Sequence, residues 1–84
     1  MNIHEFNNSI EEVGRRLFGD RYSFSSSHVQ SIMYGHTDEK VVTYRGVIFY
    51  DNSKGSLDAE STDINAVCKI LETKYYKLQS GIEL

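Results

Sequence analysis

The side chains able to ligate a metal through nitrogen or sulfur are His4, His28, His36 and Cys68. A structural zinc site needs four such ligands at finger-type spacing, and a zinc hydrolase needs two histidines one helical turn apart. No pair here stands at either spacing. His36 with Asp38 and Glu39 could gather an ion within a polar loop, but these residue types are equally the ordinary furniture of a solvated loop. For covalent chemistry the candidates are Cys68 and the run Ser25-Ser26-Ser27 ahead of His28. A nucleophile has to sit within hydrogen-bond reach of its base, and neighbours along a strand or turn rarely face each other. Cys68 falls beside an apolar helical stripe, where a free thiol behaves as a small hydrophobe. Gly14, Gly19, Gly35, Gly46 and Gly55 are scattered over different segments and form no phosphate-cradling loop. The sequon Asn7-Asn8-Ser9 lies within a helical pattern and is set aside. The expectation is a chain that is not an enzyme and uses no metal or cofactor.

Eighty-four residues, 39% apolar and 12% aromatic, suffice for a single domain spanning residues 1–84 and leave no room for a second core. The net charge of −3 disfavours a dedicated nucleic-acid binder, whose affinity comes mainly from neutralising phosphates. No apolar run approaches the ~18 residues of a membrane span. The opening Met-Asn-Ile-His-Glu-Phe-Asn-Asn-Ser has neither the basic nor the apolar region of a secretory signal. With one cysteine and hence no internal disulfide, the expected location is the cytoplasm.

The elements follow from periodicity. Ile3, Phe6, Ile10, Val13 and Leu17 recur at steps of three and four, which predicts a helix over 3–18 with Asn2 and Glu5 as a capping pair and Gly19 as its stop. Gly14 within it invites close approach to a sheet. From Arg21 the period becomes two, predicting a strand through Ser26, a turn in the serine stretch to His28, and a second strand over Val29–Tyr34. After the polar loop 35–39 comes Lys40–Tyr50, in which seven of eleven residues are Val, Ile, Phe or Tyr. A bulge at Gly46 would place Val42, Tyr44, Val47 and Phe49 on one face, and is preferred to a tight reversal at Arg45-Gly46. Asp51–Gly55 is a turn, Ser56–Glu60 a short edge strand, and the stripe Ile64, Val67, Leu71, Tyr75 and Leu78, widened by Cys68, a second helix capped by Thr62 or Asp63 and stopped by Gly81. The predicted fold is α+β and two-layered: helix, three or four antiparallel strands, helix, with both helices on one sheet face.

Six tyrosines and no tryptophan is a skewed aromatic choice, and tyrosine suits interfaces because it joins a large apolar body to a polar tip. The bulged register puts Ile48 and Tyr50, near Tyr34, on the sheet face away from the helices. Asp51, Asp58, Glu60 and Asp63 fall within thirteen residues with only Lys54 among them, so Asp58, Glu60 and Asp63 form a candidate acidic rim for a basic partner. A rival reading uses Arg15, Arg16 and Arg21 as a nucleic-acid grip, although Glu11, Glu12 and Asp20 flank them.

The element order and length resemble those of double-stranded RNA-binding domains. That family grips phosphates with lysines at the start of its second helix, where this chain reads Ser61-Thr62-Asp63-Ile64-Asn65 with no lysine before Lys69. The opening Met1-Asn2-Ile3 helix, the strands around Val41–Tyr50 and the acidic segment 51–63 also resemble small phage anti-CRISPR proteins. That resemblance implies a non-enzymatic inhibitor docking on a larger, nucleic-acid-processing protein. The expected function is a protein-binding domain of this kind; the alternatives are the arginine-based nucleic-acid module and a homodimeric accessory protein joined through a sheet edge or face.

Overall fold

The structure, a computed structural model, describes residues 2–34 and 39–79, and their side chains except at 33, 34, 39 and 40. The order is α1 (Ile3–Phe18), a 3-10 turn (Gly19–Arg21), β1 (Tyr22–Tyr34), β2 (Glu39–Tyr50), β3 (Gly55–Ser61) and α2 (Ile64–Gln79). The strands form an antiparallel meander in the order β1-β2-β3. Both helices pack on one face of it, α1 over β1 and α2 over β3, giving the expected two-layer α+β fold with three strands.

The helices start where capping chemistry puts them. The Asn2 side chain accepts from the Glu5 N–H at 2.9 Å while its amide donates to the Glu5 carboxylate at 2.9 Å. Gly19 closes α1 at φ +56°, a left-handed conformation that costs glycine little. Asp63 caps α2 by accepting from Asn65 N–H at 3.0 Å. The core is then Phe6, Ile10, Val13, Leu17 and Phe18 of α1, Ile48, Leu57 and Ala59 of the sheet, and Val67 and Leu71 of α2. Gly14 does bring α1 close to the sheet, for a Cβ there would lie 2.6 Å from the Tyr22 ring. Gly81, the expected end of the second helix, lies outside the described residues.

Two expectations are corrected. The serine run is no turn but part of one continuous strand, β1, paired with β2 from Tyr22 to Tyr34. Ser25 and Ser27 are half-buried on the helix side, where small side chains let α1 lie close; Ser27 Oγ donates to Asn7 Oδ1 at 3.1 Å. The bulge is also elsewhere. Register shifts between Tyr22 and Phe24, whereas Gly46 pairs regularly with Ser27 and Ala59 on either side. Those three small residues make the thinnest row of the sheet, and both helices press into it: a Cβ on Gly46 would meet Ile10 Cδ1 at 2.5 Å and Val67 Cγ1 at 3.2 Å. The glycine supplies room for the helices, not an extra residue in the ladder. Parity is therefore unbroken along β2, so Tyr44, Gly46, Ile48 and Tyr50 face the helices while Arg45, Val47 and Phe49 face away.

The β2–β3 turn is unusual in its backbone. Asp51, Asn52 and Ser53 all have positive φ, at 53°, 58° and 67°, a region that costs non-glycine residues free energy, least for Asp and Asn. It is held from β1's side: Asp51 N–H donates to Arg21 O at 2.8 Å, Ser53 N–H donates to Ser23 Oγ at 3.1 Å, and Arg21 grips the Asp51 carboxylate through two bonds of 2.8 Å.

Candidate protein-binding surface

The unbroken parity decides what the open sheet face displays. From β1 come Phe24, Ser26, His28, Gln30 and Ile32; from β2, Val41, Thr43, Arg45, Val47 and Phe49; from β3, Ser56, Asp58 and Glu60. Apolar residues gather toward its two ends. Phe24 stacks on Phe49 with ring centroids 4.5 Å apart, beside Val47, and Phe24 remains 50% exposed. At the other end stands the pair Ile32–Val41. Between them Arg45 donates to Asp58 at 3.1 Å and lies opposite Glu60 in the ladder.

Of the residues expected on this face, Ile48 and Tyr50 are not there. Ile48 is fully buried beneath the helices, and the Tyr50 ring stacks on Phe18 of α1 at 4.3 Å. The cause is the missing bulge, which would have reversed their direction. The side chain of Tyr34 lies outside the described residues. Tyrosine also serves mainly as helix–sheet filler here: Tyr22, Tyr44, Tyr50 and Tyr75 all pack against the core, and Tyr76 on α2 is exposed. Phe24 and Phe49 stand on this face instead. Gly46, opposite serine in one strand and alanine in the other, is the signal that sets the parity and exposes them.

The acidic rim is largely engaged. Asp58 pairs with Arg45, and its carbonyl accepts from Lys74 Nζ at 2.7 Å. Asp63 is occupied as a helix cap and Asp51 by Arg21. Glu60 is exposed on the edge strand. The arginines are paired as well, all four of them: Arg15 with Glu11, Arg16 with Glu72, Arg21 with Asp51 and Arg45 with Asp58. Arg15, Arg16 and Arg21 thus present no concentrated positive field to a phosphate backbone. An open hollow of about 500 Å³ over α1, lined by Asn8, Glu11, Glu12, Arg15 and Arg16, holds charges that already neutralise one another.

Burial pushes the Cys68 thiol up, assisted by the nearby Glu72 carboxylate, which leaves less thiolate at neutral pH. Among the described residues no group of three His, Cys, Asp or Glu could hold a metal ion; the loop bearing His36 and Asp38, and the Glu39 side chain, lie outside them. Among the described residues, too, no helix is long and apolar enough to cross a membrane.

The Arg21–Asp51 clamp carries a pH dependence. Hydrogen bonding to the guanidinium holds the Asp51 carboxyl below its usual range. Its contribution is therefore complete above the unfolded value of about 3.9 and disappears as pH falls through the lower folded value. Replacing Arg21 by Ala is expected to destabilise the fold at pH 7 by a margin that narrows as the pH drops toward 3. The margin does not close, because Arg21 also lies over the Tyr50 and Phe18 rings at 5.5 and 5.9 Å. Denaturant midpoints across that range would show it; a margin constant with pH would remove the clamp from the account.

Comparison of the chain with protein-family models, with curated proteins and with solved structures returns no match in any of the three.

Proposed function

We propose that the domain is a non-catalytic recognition module that binds a larger protein through its open sheet face and acts on it by steric occlusion. The observation that carries this reading is the half-exposed Phe24 stacked on Phe49 on a face that neither α1 nor α2 covers. Aromatic anchors ringed by polar residues are what protein interfaces concentrate their energy in, and here Ser26, Ser56, Asp58 and Arg45 supply the ring. Pairing of every arginine with a carboxylate favours a protein over a nucleic-acid partner. The finer reading, an inhibitor or regulator of the anti-CRISPR type acting on a nucleic-acid-processing protein, rests on the resemblance in size, element order and acidity.

The test is affinity capture of the tagged chain from extract of its native cell, with and without nuclease. A protein partner that survives nuclease treatment and is lost by at least tenfold in the Phe24→Ser/Phe49→Ser variant, but retained by Tyr76→Ser, is the expected result. Undiminished capture by a folded Phe24→Ser/Phe49→Ser chain would overturn the face assignment. Nuclease-sensitive capture would favour the nucleic-acid reading.

A further inference from the structure

The two edges of the sheet are unlike. The β3 edge is short, bears Asp58 and Glu60, and has the Asp58 carbonyl closed by Lys74 Nζ at 2.7 Å. Charge and capping of this sort keep an edge from pairing with another chain. The β1 edge runs thirteen residues, and from Phe24 to Ile32 it is unbulged and reads Phe-Ser-Ser-Ser-His-Val-Gln-Ser-Ile, with no Lys, Arg, Asp, Glu or Pro. Among the described residues none of these protections is present there. Large apolar side chains gather at it as well. Of the six most exposed among the described residues, Phe24, Val29 and Ile32 are on β1, and Ile3 stands one helical turn before Asn7, the residue that accepts from Ser27.

We infer that β1 pairs antiparallel with β1 of a second copy across a two-fold axis at His28, joining two three-stranded sheets into one of six. Antiparallel pairing about a two-fold axis is self-complementary, and the register centred on His28 is chemically apt. On the open face it sets Phe24 opposite Ile32 of the second copy, twice, and Ser26 opposite Gln30. On the helix side it sets Val29 opposite Ser27 of the second copy, close to that copy's Asn7 and Ile3. Contacts of Gly14 with Tyr22 and of Asn7 with Ser27 place residues 7–14 of α1 over the first half of β1, so these parts of the two helices lie over opposite halves and their first turns approach each other near the axis. Since β1 is consumed by the pairing and β3 is blocked, assembly stops at two. Nine paired residues extend about 30 Å. An interface of that length is at the small end for specific contacts, so the dimer is sought at micromolar concentrations and above. The pairing is made by the backbone of the β1 edge and shares Phe24 and Ser26 with the open face, but it needs no other partner on that face.

Sedimentation equilibrium of the untagged chain from about 1 to 200 µM tests it, with circular dichroism confirming the fold of each variant. A monomer–dimer equilibrium is expected. Ser26→Lys with Gln30→Lys sets like charges opposite each other at two places and should weaken dimerisation at least tenfold. Ser26→Lys with Gln30→Glu sets opposite charges there and should restore it. In a Cys68→Ser background, His28→Cys should form an intermolecular disulfide on mild oxidation, since antiparallel partners stand about 4.5–5.5 Å apart at Cα. A folded chain that stays monomeric at 200 µM overturns the inference. So does a dimer indifferent to both charge variants, or one that fails to cross-link at position 28. These experiments read self-association of the isolated chain with no other protein present, so their failure is separable from failure of partner capture by the recognition face.

Discussion

Gly46→Ala is expected to cost about 1–3 kcal/mol, the range for forcing an extra methyl into a close-packed core. The new methyl would lie 2.5 Å from Ile10 Cδ1 and 3.2 Å from Val67 Cγ1, and both residues are fully buried, so neither has anywhere to withdraw. Ile10→Val deletes the Cδ1 methyl and alone costs about 0.5–1.5 kcal/mol. In the double variant the added methyl takes the place of the deleted one. Its cost should then fall short of the sum of the two singles by about 1 kcal/mol, a coupling that urea denaturation of the four proteins would measure. Strict additivity would mean that the helices do not press on Gly46.

The second large effect separates the two faces of one strand. Ile48→Ala removes a fully buried side chain from beneath α1 and should cost about 2–4 kcal/mol. A domain of this size rarely draws more than ~3–5 kcal/mol from its core, so this variant sits near its unfolding midpoint without denaturant. Val47, next in sequence but on the open face and half-buried, should cost about 1 kcal/mol or less as Ala. The bulged register would reverse the order. Chemical denaturation of the two alanine variants therefore reads the strand parity directly, and with it the identity of the open face.

The helices were legible because each carries its period and its cap within a few residues: Asn2 and Glu5 sit three apart and bond as their types suggest. The edge strand at Leu57 and Ala59 was legible for a similar reason, its buried residues alternating with Asp58 and Glu60. The central strand was harder. Val41, Val42, Val47, Ile48, Phe49 and Tyr50 are apolar on both faces, so periodicity has nothing to alternate against. Its direction is set by the thin row Ser27–Gly46–Ala59, which exists only once three strands are aligned. A serine run suggests a turn because serine competes with the ladder for backbone hydrogen bonds; beneath a helix its small size matters more. The candidate site was obscured by pairing at long range. Arg21 and Asp51 are thirty residues apart, and Arg45 and Asp58 thirteen, so carboxylates that look available in the sequence are engaged in the fold.

The unequal lengths of β2 and β3 divide the central strand into two mechanical regimes. Residues 44–50 are bonded on both sides and lie under the helices, whereas 41–43 are bonded to β1 alone. Amide exchange in the first set requires something close to global unfolding; in the second, fraying of one ladder is enough. The Phe24–Phe49 platform thus rests on the part of the sheet that opens last, and the proposed partner would meet a rigid surface there. Residues 41–43 are the compliant part, and pairing of the β1 edge with a second copy would stiffen it.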